Sequence, residues 1–355
     1  MQIINICYAS NNNFVKYLAT SMLSMLDTLE QNIFINFYII NDGISQNNLD
    51  KLHKLTKQYE NSCKLVDFKV NSDNYLTKYY NVKDFHHSIY LRLEIFNFLA
   101  HLDKVLYLDC DTIILNNIEE LYNENIDGYI AGVVPEHLRI KAHLPAILNL
   151  DRKLNKNEYK WKYFNSGVLL INLKKINVEE LKVEIKKINE KYGKNFEFPD
   201  QDLLNILWLN KVKYLPLKYN IVSCMYVENN FLYKTEDKKI IYEAINSPFI
   251  YHFTGPKPDS FLCFHKGQKK FLHYFKKTTF YDISKFKNFF LIVYCYIKRF
   301  VLFSIEKPNY IIRIYKFVIK VNTKKILPIN FYKTKTHKVF ILFGLKFSSR
   351  ITKKQ

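Results

Sequence analysis

The sequence predicts an α/β domain built on a mostly parallel sheet, followed by a basic C-terminal extension. Short apolar runs typical of β-strands alternate over the first 275 residues with segments of helical periodicity. That alternation is typical of βαβ units. Charge divides the chain, because residues 276–355 hold 19 Lys and Arg against 2 Asp and Glu, whereas residues 1–275 hold 34 against 31. We therefore expect one domain over 1–275 and a separate extension over 276–355.

The predicted strands are apolar runs bounded by polar residues. They are Ile3–Tyr8, Ile33–Asn41, Lys64–Val70, Lys104–Leu108, Tyr129–Val134, Ser166–Asn172 and Ile250–Phe253. Two amphipathic helices follow from apolar residues spaced three and four apart. These are Phe14, Leu18, Met22, Met25 and Leu29, and then Val178, Leu181, Ile185, Ile188 and Tyr192. Ligands of such sheets bind beyond the carboxyl ends of the strands, so the loops there are the places to search.

Composition excludes several classes of protein. The six Cys are scattered without a Cys-x-x-Cys pair, which argues against a disulfide scaffold or a zinc ribbon and favours a reducing compartment. The chain opens with MQIINICYASNNN, which predicts a first strand and a loop rather than a signal peptide. No apolar run reaches the roughly 18–20 residues of a spanning helix. We expect the domain to be cytoplasmic.

The strongest candidate site follows the apolar run Lys104–Leu108. Asp109 and Asp111 are spaced i, i+2, and an extended backbone would place both carboxylates on one side while Cys110 points away. Two hard oxygen ligands suit Mg²⁺ or Mn²⁺. The alternative is a solvated turn or a helix cap. Two charges at the end of an apolar strand nevertheless need a partner, which favours the metal site.

A second cluster is Asp200-Gln201-Asp202, which follows Pro199. Its simplest interpretation is a helix start with Asp200 as the N-cap and acidic residues in the first turn. In Phe164-Asn-Ser-Gly, Asn165 would project from the entrance of a strand, and the alternative is an Asn-Ser-Gly turn. Neither cluster identifies a reaction by itself.

A third cluster combines His252, Gly255 and Lys257 after an apolar run. A His at a strand end can bind a metal, a Gly allows close backbone approach, and a Lys can balance phosphate charge. The alternative is a purely structural His. The chain lacks G-x-x-x-x-G-K-[ST], G-x-G-x-x-G and G-x-S-x-G, so a P-loop ATPase, a standard nicotinamide dehydrogenase and a nucleophile elbow are unsupported.

Taken in order along residues 1–275, these motifs resemble glycosyltransferase family 8. The motifs are Ile6-Cys-Tyr-Ala-Ser-Asn-Asn-Asn, Tyr90-Leu-Arg-Leu, the Asp109/Asp111 strand, Asn165-Ser-Gly, Asp200-Gln-Asp and His252-x-x-Gly. That family contains retaining, metal-dependent hexosyltransferases of bacterial lipopolysaccharide and lipooligosaccharide cores, and glycogenin. The resemblance implies a Rossmann-like, nucleotide-sugar-binding domain of the GT-A type.

The resemblance also implies a role for each matching residue. The expected ligands of Mn²⁺, with Mg²⁺ as the alternative ion, are Asp109, Asp111 and His252. The expected nucleotide contacts are Ala9, Asn11, Asn13, Cys110, Gly255 and Lys257. The expected donor-sugar contacts are Arg92, Asn165 and Asp200. Gln201 is the expected catalytic residue near the anomeric carbon, and Asp202 is the second candidate for that role.

Two positions depart from the family pattern. Members often have Asp where this chain has Asn11, although an amide oxygen can still accept a hydrogen bond from uracil. Members commonly show two residues between the Gly and the Lys of the pyrophosphate turn, with a Trp after the following Pro. Here Gly255-Pro-Lys257-Pro is one residue shorter and lacks the Trp. The shorter turn affects the expected pyrophosphate contact of Lys257 and leaves the position of Gly255 unchanged.

The implied reaction transfers galactose or glucose from a UDP-sugar to a lipid-linked saccharide, with retention and an α-linkage. An amide is a poor nucleophile, so the resemblance favours same-face attack, in which the departing phosphate takes the acceptor's proton and Gln201 stabilises oxocarbenium-like charge. One competing class is a basic, metal-dependent nucleic-acid protein. The nearly neutral domain argues against nucleic acid as a partner. Another class is a non-catalytic sugar-nucleotide or membrane-binding protein.

The extension 276–355 interleaves Lys and Arg with large apolar residues, as in Phe289–Phe303. Such a composition suits an anionic membrane surface, with aromatic side chains inserted and basic ones on phosphates. We therefore expect a peripheral protein at the inner face of the bacterial cytoplasmic membrane. The alternative is a small β-rich subdomain whose charge is solvated, and it is favoured more for Asn309–Gln355 than for Lys276–Lys307.

Overall fold

A computed structural model describes residues 1–70, 87–136, 163–226, 235–260, 263 and 265–282, and three strands between residues 329 and 350. The chain forms two compact units, Met1–Tyr281 and Asp282–Gln355. The strands of the first unit are β1 (Gln2–Asn11), β2 (Ile33–Asp42), β3 (Cys63–Lys69), β4 (Lys104–Leu108), β5 (Thr112–Ile114), β6 (Ala131–Pro135), β7 (Phe164–Asn172), β8 (Val212–Tyr214), β9 (Ile221–Val222) and β10 (Ile250–His252).

Its described α-helices are α1 (Val15–Leu26), α2 (Gln46–Lys57), α3 (Ile95–Phe98), α4 (Glu119–Tyr122), α5 (Val178–Tyr192), α6 (Pro199–Leu207), α7 (Thr235–Asn246) and α8 (Gln268–Phe275). Short 3₁₀ turns accompany them, the longest being His87–Glu94.

A seven-stranded sheet in the order β3-β2-β1-β4-β7-β6-β8 forms the centre of the first unit. Strands β3, β2, β1 and β4 are parallel. Strand β7 runs antiparallel to both β4 and β6, and β8 is parallel to β6. The mostly parallel α/β sheet predicted from the alternation is therefore confirmed.

The core residues come from the strand faces and the packed helices. Cys7, Val105 and Leu169 contribute from the strands, and Phe96 and Trp208 lie edge to face with ring centroids 6.2 Å apart. Burial of such apolar surface provides the main driving force for folding. It holds the carboxyl ends of β1 and β4 rigidly beside the start of β7.

A second sheet, in the order β5-β10-β9, brings distant parts of the chain to the same place. Strand β10 pairs antiparallel with β5, so that His252 lies opposite Thr112. Helix α1 packs on β5, where Ser24 Oγ accepts a hydrogen bond from the Ile114 N–H at 3.0 Å. The turn between β4 and β5 therefore lies next to the end of β10.

One local expectation holds and one is corrected. Ser166 and Gly167 lie inside β7, as the predicted strand Ser166–Asn172 requires, so the alternative of an Asn-Ser-Gly turn does not apply. Helix α6 begins at Pro199 with Phe198 as its N-cap residue, so Asp200 is not the N-cap. Proline suits this first helical position because its missing N–H would be unsatisfied there in any case.

The second unit contains an antiparallel sheet of β11 (Ile329–Lys333), β12 (His337–Leu342) and β13 (Leu345–Arg350). These strands lie within Asn309–Gln355, the part of the extension in which the alternative of a β-rich subdomain was favoured more than in Lys276–Lys307. The apolar and basic segment Phe289–Phe303 lies outside the described residues. Among the described residues, no helix combines the length and the apolar character that a membrane span requires.

Candidate active site

A cavity of about 350 Å³ opens where β1, β4 and β10 end and β7 begins. Most of its polar lining is predictable from the sequence motifs. The lining residues predicted in this way are Ala9, Asn11, Arg92, Asp109, Cys110, Asp111, Asn165, Asp200, Gln201, His252, Gly255 and Lys257. Phe14, Leu91, Tyr107 and Phe198 add apolar surface. A concave site with a few convergent polar groups is typical of small-ligand binding.

Asp109, Asp111 and His252 converge in this cavity. One atom from each side chain lies within 4.8 Å of the others. His252 Nε2 is 3.5 Å from Asp109 Oδ2 and 3.5 Å from Asp111 Oδ1. Two carboxylate oxygens and one imidazole nitrogen form a donor set suited to a divalent transition-metal ion.

The convergence of the two carboxylates has a different cause from the one expected. Strand β4 ends at Leu108, and Asp109–Asp111 form a turn rather than extended backbone. Thr112 Oγ1 donates to the Asp109 carbonyl at 2.8 Å and closes this turn. The Asp109 N–H donates to the Gly167 carbonyl, which ties the turn to β7. The turn itself therefore brings the carboxylates together.

In each of the two carboxylates, one oxygen contacts a cationic side chain and the other oxygen faces His252. Asp109 Oδ1 lies 3.1 Å from the Arg92 guanidinium and accepts a hydrogen bond from Tyr107 Oη at 2.7 Å. Asp111 Oδ2 lies 2.5 Å from Lys257 Nζ. The other oxygens, Asp109 Oδ2 and Asp111 Oδ1, are the ones that approach His252. The geometry thus holds three ligand atoms together while the remaining oxygens are neutralised.

The absence of a side chain at Gly167 leaves the room for this arrangement. A Cβ there would lie 2.3 Å from His252 Cε1 and 2.7 Å from Asp109 Oδ2. The imidazole is fixed on its other side, because His252 Nδ1 lies 2.9 Å from Asn220 Oδ1. A ligand His is usually oriented by such a partner on its second nitrogen. The residues present therefore fit a divalent metal-binding site.

Arg92 connects the cluster of Asp109, Asp111 and His252 to Asp200 and Ser166 on the neighbouring wall of the cavity. Its Nε lies 3.0 Å from Asp200 Oδ2, and its Nη1 donates to the carbonyl and the hydroxyl of Ser166. Burial by itself lowers the pKa of Arg92, but Asp109 and Asp200 outweigh it and raise the pKa above its usual value. Burial raises the pKa of Asp200, and Arg92 partly offsets this.

Lys257 pairs with Asp111 in spite of its shortened turn. Burial by itself raises the pKa of Asp111, but a protonated His252 and the Lys257 ammonium hold the pKa well below its usual range. The pKa of Lys257 is raised, because Asp111 outweighs the opposing effect of burial. The Lys257 ammonium also lies 5.3 Å from the centre of the Phe14 ring. A cation therefore borders the cluster at the position expected from the motif.

Gln201 is held at both ends of its amide. Its Oε1 accepts hydrogen bonds from Asn165 Nδ2 at 2.9 Å and from the Ser166 N–H at 3.1 Å. Its Nε2 donates to Glu136 Oε2 at 3.0 Å. The side chain is 6% exposed at the cavity wall. Its orientation is therefore set before any ligand binds.

Asp202 has different surroundings from Gln201. It is fully buried, and it is not one of the described residues that line the cavity. Its carboxylate accepts hydrogen bonds from Tyr163 Oη and from the backbone N–H groups of Glu197 and Phe198. These contacts stabilise the first turn of α6, on which Gln201 lies.

The end of β1 and the loop that follows it form the side of the cavity expected to hold a base. Asn11 Oδ1 accepts hydrogen bonds from the backbone N–H groups of Asn13 and Phe14 at 3.0 and 3.2 Å, which turns the chain into α1. Asn13 is exposed and is not among the described lining residues. The Cys110 thiol donates to the Ala9 carbonyl at 3.2 Å and joins this loop to the Asp109–Asp111 turn.

Comparison with known proteins identifies the family. Residues 5–258 match the family described as Glycosyl transferase family 8. The chain belongs to glycosyltransferase family 8. It is therefore a glycosyltransferase by family, and the resemblance predicted from the order of its motifs is confirmed.

Its relatives include enzymes of lipopolysaccharide synthesis. A lipopolysaccharide 1,2-glucosyltransferase of Escherichia coli is 30% identical over 256 residues, which is 71% of each chain. A second, from Escherichia coli strain K12, is 28% identical and again covers 71% of each chain. A relative from Haemophilus influenzae is 28% identical over 62% of this chain and 63% of its own length.

Solved structures share the fold of this family 8 glycosyltransferase. The galactosyltransferase LgtC, in complex with donor and acceptor sugar analogs, matches 79% of this chain and 98% of its own, with a TM-score of 0.63 and 23% identity. The bifunctional glycosyltransferase WbbM matches 78% of this chain and 50% of its own, with a TM-score of 0.67 and 19% identity. The expected GT-A-type architecture is confirmed.

Some site residues were not assigned from the sequence. Ser166 and Gly167 stood inside a recognised motif, and Tyr107 precedes Asp109 by two residues in the β4 motif. These three could have been found from the motif itself. Asn220 and Glu136 had no such signal, because each reaches the site only through a partner far away in the sequence.

Proposed function

We propose that the enzyme transfers a hexose, galactose or glucose, from a UDP-sugar to a saccharide acceptor with retention, forming an α-linkage. The observation that carries this proposal is the convergence of Asp109, Asp111 and His252 in one cavity with the anchored amide of Gln201. A charge-neutralising site beside a rigid polar group is what the departure of a diphosphate from a sugar requires.

In this proposal Asp109 Oδ2, Asp111 Oδ1 and His252 Nε2 hold the ion, with Mn²⁺ as the expected metal and Mg²⁺ as the alternative. When bound, a divalent cation supplies Lewis-acid stabilisation of the leaving diphosphate. Lys257 lies beside Asp111 and adds positive charge on the same side of the cavity. Ala9, Asn11 and Cys110 then border the uridine, and the Asn13 backbone holds Asn11 in place.

On the sugar side, Arg92, Asn165 and Asp200 are proposed to orient the hexose hydroxyls. Gln201 is proposed to face the anomeric carbon and to stabilise its positive charge. Both ends of the amide are already hydrogen bonded, which supports a fixed dipole rather than a nucleophile. The acceptor then attacks from the face of the departing phosphate, whose oxygen takes the acceptor's proton. The contacts of Asp202 support a structural role instead of the second catalytic candidacy.

Turnover with a UDP-sugar panel tests this assignment. UDP release from UDP-galactose or UDP-glucose should require Mn²⁺ and stop when EDTA is added. Asp111→Asn should lower turnover to background, because it removes a charged ligand of the cation. Asp67→Asn, in β3, is a control outside the cavity lining and should retain turnover. Equal turnover of wild type and Asp111→Asn would contradict the metal-dependent reaction.

We further propose that the acceptor is lipid-linked and that the extension 276–355 attaches the enzyme to the anionic inner face of the cytoplasmic membrane. The support is its 19 basic residues against 2 acidic ones. Each basic residue near such a surface contributes about 1 kcal/mol. The relatives that act in lipopolysaccharide synthesis favour the same class of acceptor.

Vesicle sedimentation tests the attachment. The full chain should sediment with vesicles that contain anionic lipid at low salt, and binding should fall as salt screens the charges. Vesicles of zwitterionic lipid alone, and a chain ending at Tyr281, are the controls. If the full chain ignores anionic vesicles, or the shortened chain binds them equally well, the membrane role of 276–355 is wrong.

A further inference from the structure

A continuous series of side-chain hydrogen bonds connects Gln201 to the imidazole of His252. Gln201 Oε1 accepts from Asn165 Nδ2 at 2.9 Å, and Asn165 Oδ1 accepts from Asn220 Nδ2 at 2.9 Å. Asn220 Oδ1 lies 2.9 Å from His252 Nδ1. The four residues come from α6, β7, the segment before β9, and β10. Asn220 is 1% exposed, so its amide has little access to water.

Two backbone N–H groups fix the direction of every bond in this series. The Ser166 N–H donates to Gln201, and the Gly167 N–H donates to Asn165. A backbone N–H can only donate, so the side-chain atoms that meet these groups must be the amide oxygens. Asn165 therefore gives its NH₂ group to Gln201. The atom of Asn220 that meets the Asn165 oxygen must then be its nitrogen.

The amide oxygen of Asn220 consequently faces His252. An amide oxygen only accepts, so His252 Nδ1 must carry a hydrogen. A neutral imidazole with a hydrogen on Nδ1 has its lone pair on Nε2. Nε2 is the atom that lies 3.5 Å from both Asp109 Oδ2 and Asp111 Oδ1. We propose that Asn220 is a positioning residue that selects the Nδ1–H tautomer of His252, which directs the Nε2 lone pair toward the metal site.

This selection acts against a local preference. The two carboxylates beside Nε2 favour a hydrogen on that nitrogen, because it could then donate to either of them. A His252 with its only hydrogen on Nε2 would have no lone pair for a cation there. Asn220 opposes that tautomer by offering an acceptor to Nδ1. The NH₂ group of the same Asn220 amide donates to Asn165. The orientation of the His252 ring therefore depends on the same residues that anchor Gln201.

The inference rests on the proposed metal site, and the tautomer can be read directly without metal or sugar. Full-length protein labelled with ¹⁵N-histidine is examined by long-range ¹H–¹⁵N NMR in alkaline buffer, where imidazole is neutral. His252→Asn assigns the signals. Wild type should show a protonated Nδ1 and an unprotonated Nε2 at His252, and Asn220→Leu should shift the population toward Nε2–H. A wild-type Nε2–H form, or an unchanged tautomer in Asn220→Leu, would overturn the inference.

Binding of Mn²⁺ alone, followed by electron paramagnetic resonance of the free ion, gives a second readout. Asn220→Leu should weaken binding by roughly 10–100-fold, the usual effect of losing a partner of a ligand His. Asn220→Asp keeps an acceptor for Nδ1–H but loses the donor to Asn165, so its Mn²⁺ binding should weaken less than that of Asn220→Leu.

The matched control is Asn36→Leu. Asn36 is also buried, and it donates to Asn5 Oδ1 at 2.9 Å in the central sheet. It should bind Mn²⁺ as wild type does. Wild-type binding in Asn220→Leu, or a loss in Asn220→Asp as large as in Asn220→Leu, would overturn the role of Asn220. Neither readout uses a sugar donor, so failure of the proposed transfer reaction appears separately, in the UDP-release assay.

Discussion

Replacement of Gly167 by Ala tests whether close packing positions the metal ligands. The added Cβ would lie 2.3 Å from His252 Cε1, whereas ordinary contacts of a Cβ begin at 3.4 Å. The ring must therefore retreat by about 1 Å, and a misplacement of that size commonly costs about 100-fold in activity. Gly167 lies within strand β7, so the effect arises from the methyl group rather than from backbone strain. We expect kcat/KM for the UDP-sugar to fall about 100-fold and Mn²⁺ binding to weaken by at least 10-fold.

Gly132→Ala is the matched control, because it adds the same methyl group to the neighbouring strand β6. Its Cβ would approach Leu215 Cδ1 at 3.0 Å and Ile126 Cγ2 at 3.1 Å, which are apolar side-chain atoms of residues outside the described cavity lining. Metal binding and turnover should stay within about twofold of wild type, since the ligands do not move. Circular dichroism checks that both variants fold. Wild-type Mn²⁺ affinity in a folded Gly167→Ala protein would refute the packing argument.

Three further results are expected. Gln201→Ala should lower kcat about 100-fold and leave UDP affinity within about twofold of wild type, because Gln201 is proposed to act on the transition state. Equal losses in kcat and in UDP affinity would contradict that role. The product should be an α-glycoside by its proton NMR coupling constants, and a β-glycoside would contradict retention. Burial lowers the pKa of His265 from 6.5 to about 4. As the pH falls from 6.5 to 4, the unfolded chain therefore binds a proton at His265 that the folded chain does not yet bind. The free energy of unfolding should decrease by about 3 kcal/mol over this range. Urea unfolding of His265→Gln should lack that part of the loss.

The parts of the site that follow a strand were predictable from the sequence. The apolar run Lys104–Leu108 became β4 with the same bounds, and the carboxylates after it lie in the cavity. His252 was predicted at a strand end for the same reason and is the last residue of β10. Such signals are local, because burial of a strand and exposure of its carboxyl end appear in neighbouring residues. The order of the motifs then supplied the family.

The parts that depend on distant partners were not predictable. Asp200-Gln-Asp reads locally as a helix start, and only the fold shows that Asp200 pairs with Arg92 whereas Asp202 caps the backbone of Glu197 and Phe198. Asn220 lies in an ordinary stretch between two short elements and meets its partners through contacts 32 and 55 residues away in sequence. Propensity carries no information on such pairings, since tertiary contacts determine them.

The charges along the cavity give a reason for the metal to bind before or together with the nucleotide. Among the described lining residues, the carboxylates of Asp109, Asp111 and Asp200 face two cations, Arg92 and Lys257. A diphosphate that bound beside these residues without a metal would meet a net negative charge that is partly buried and therefore incompletely screened by salt. A divalent cation reverses the sign of that charge. The carboxylates proposed to hold the ion would thus weaken nucleotide binding in its absence, and affinity for one ligand should rise with occupancy by the other, by reciprocal linkage.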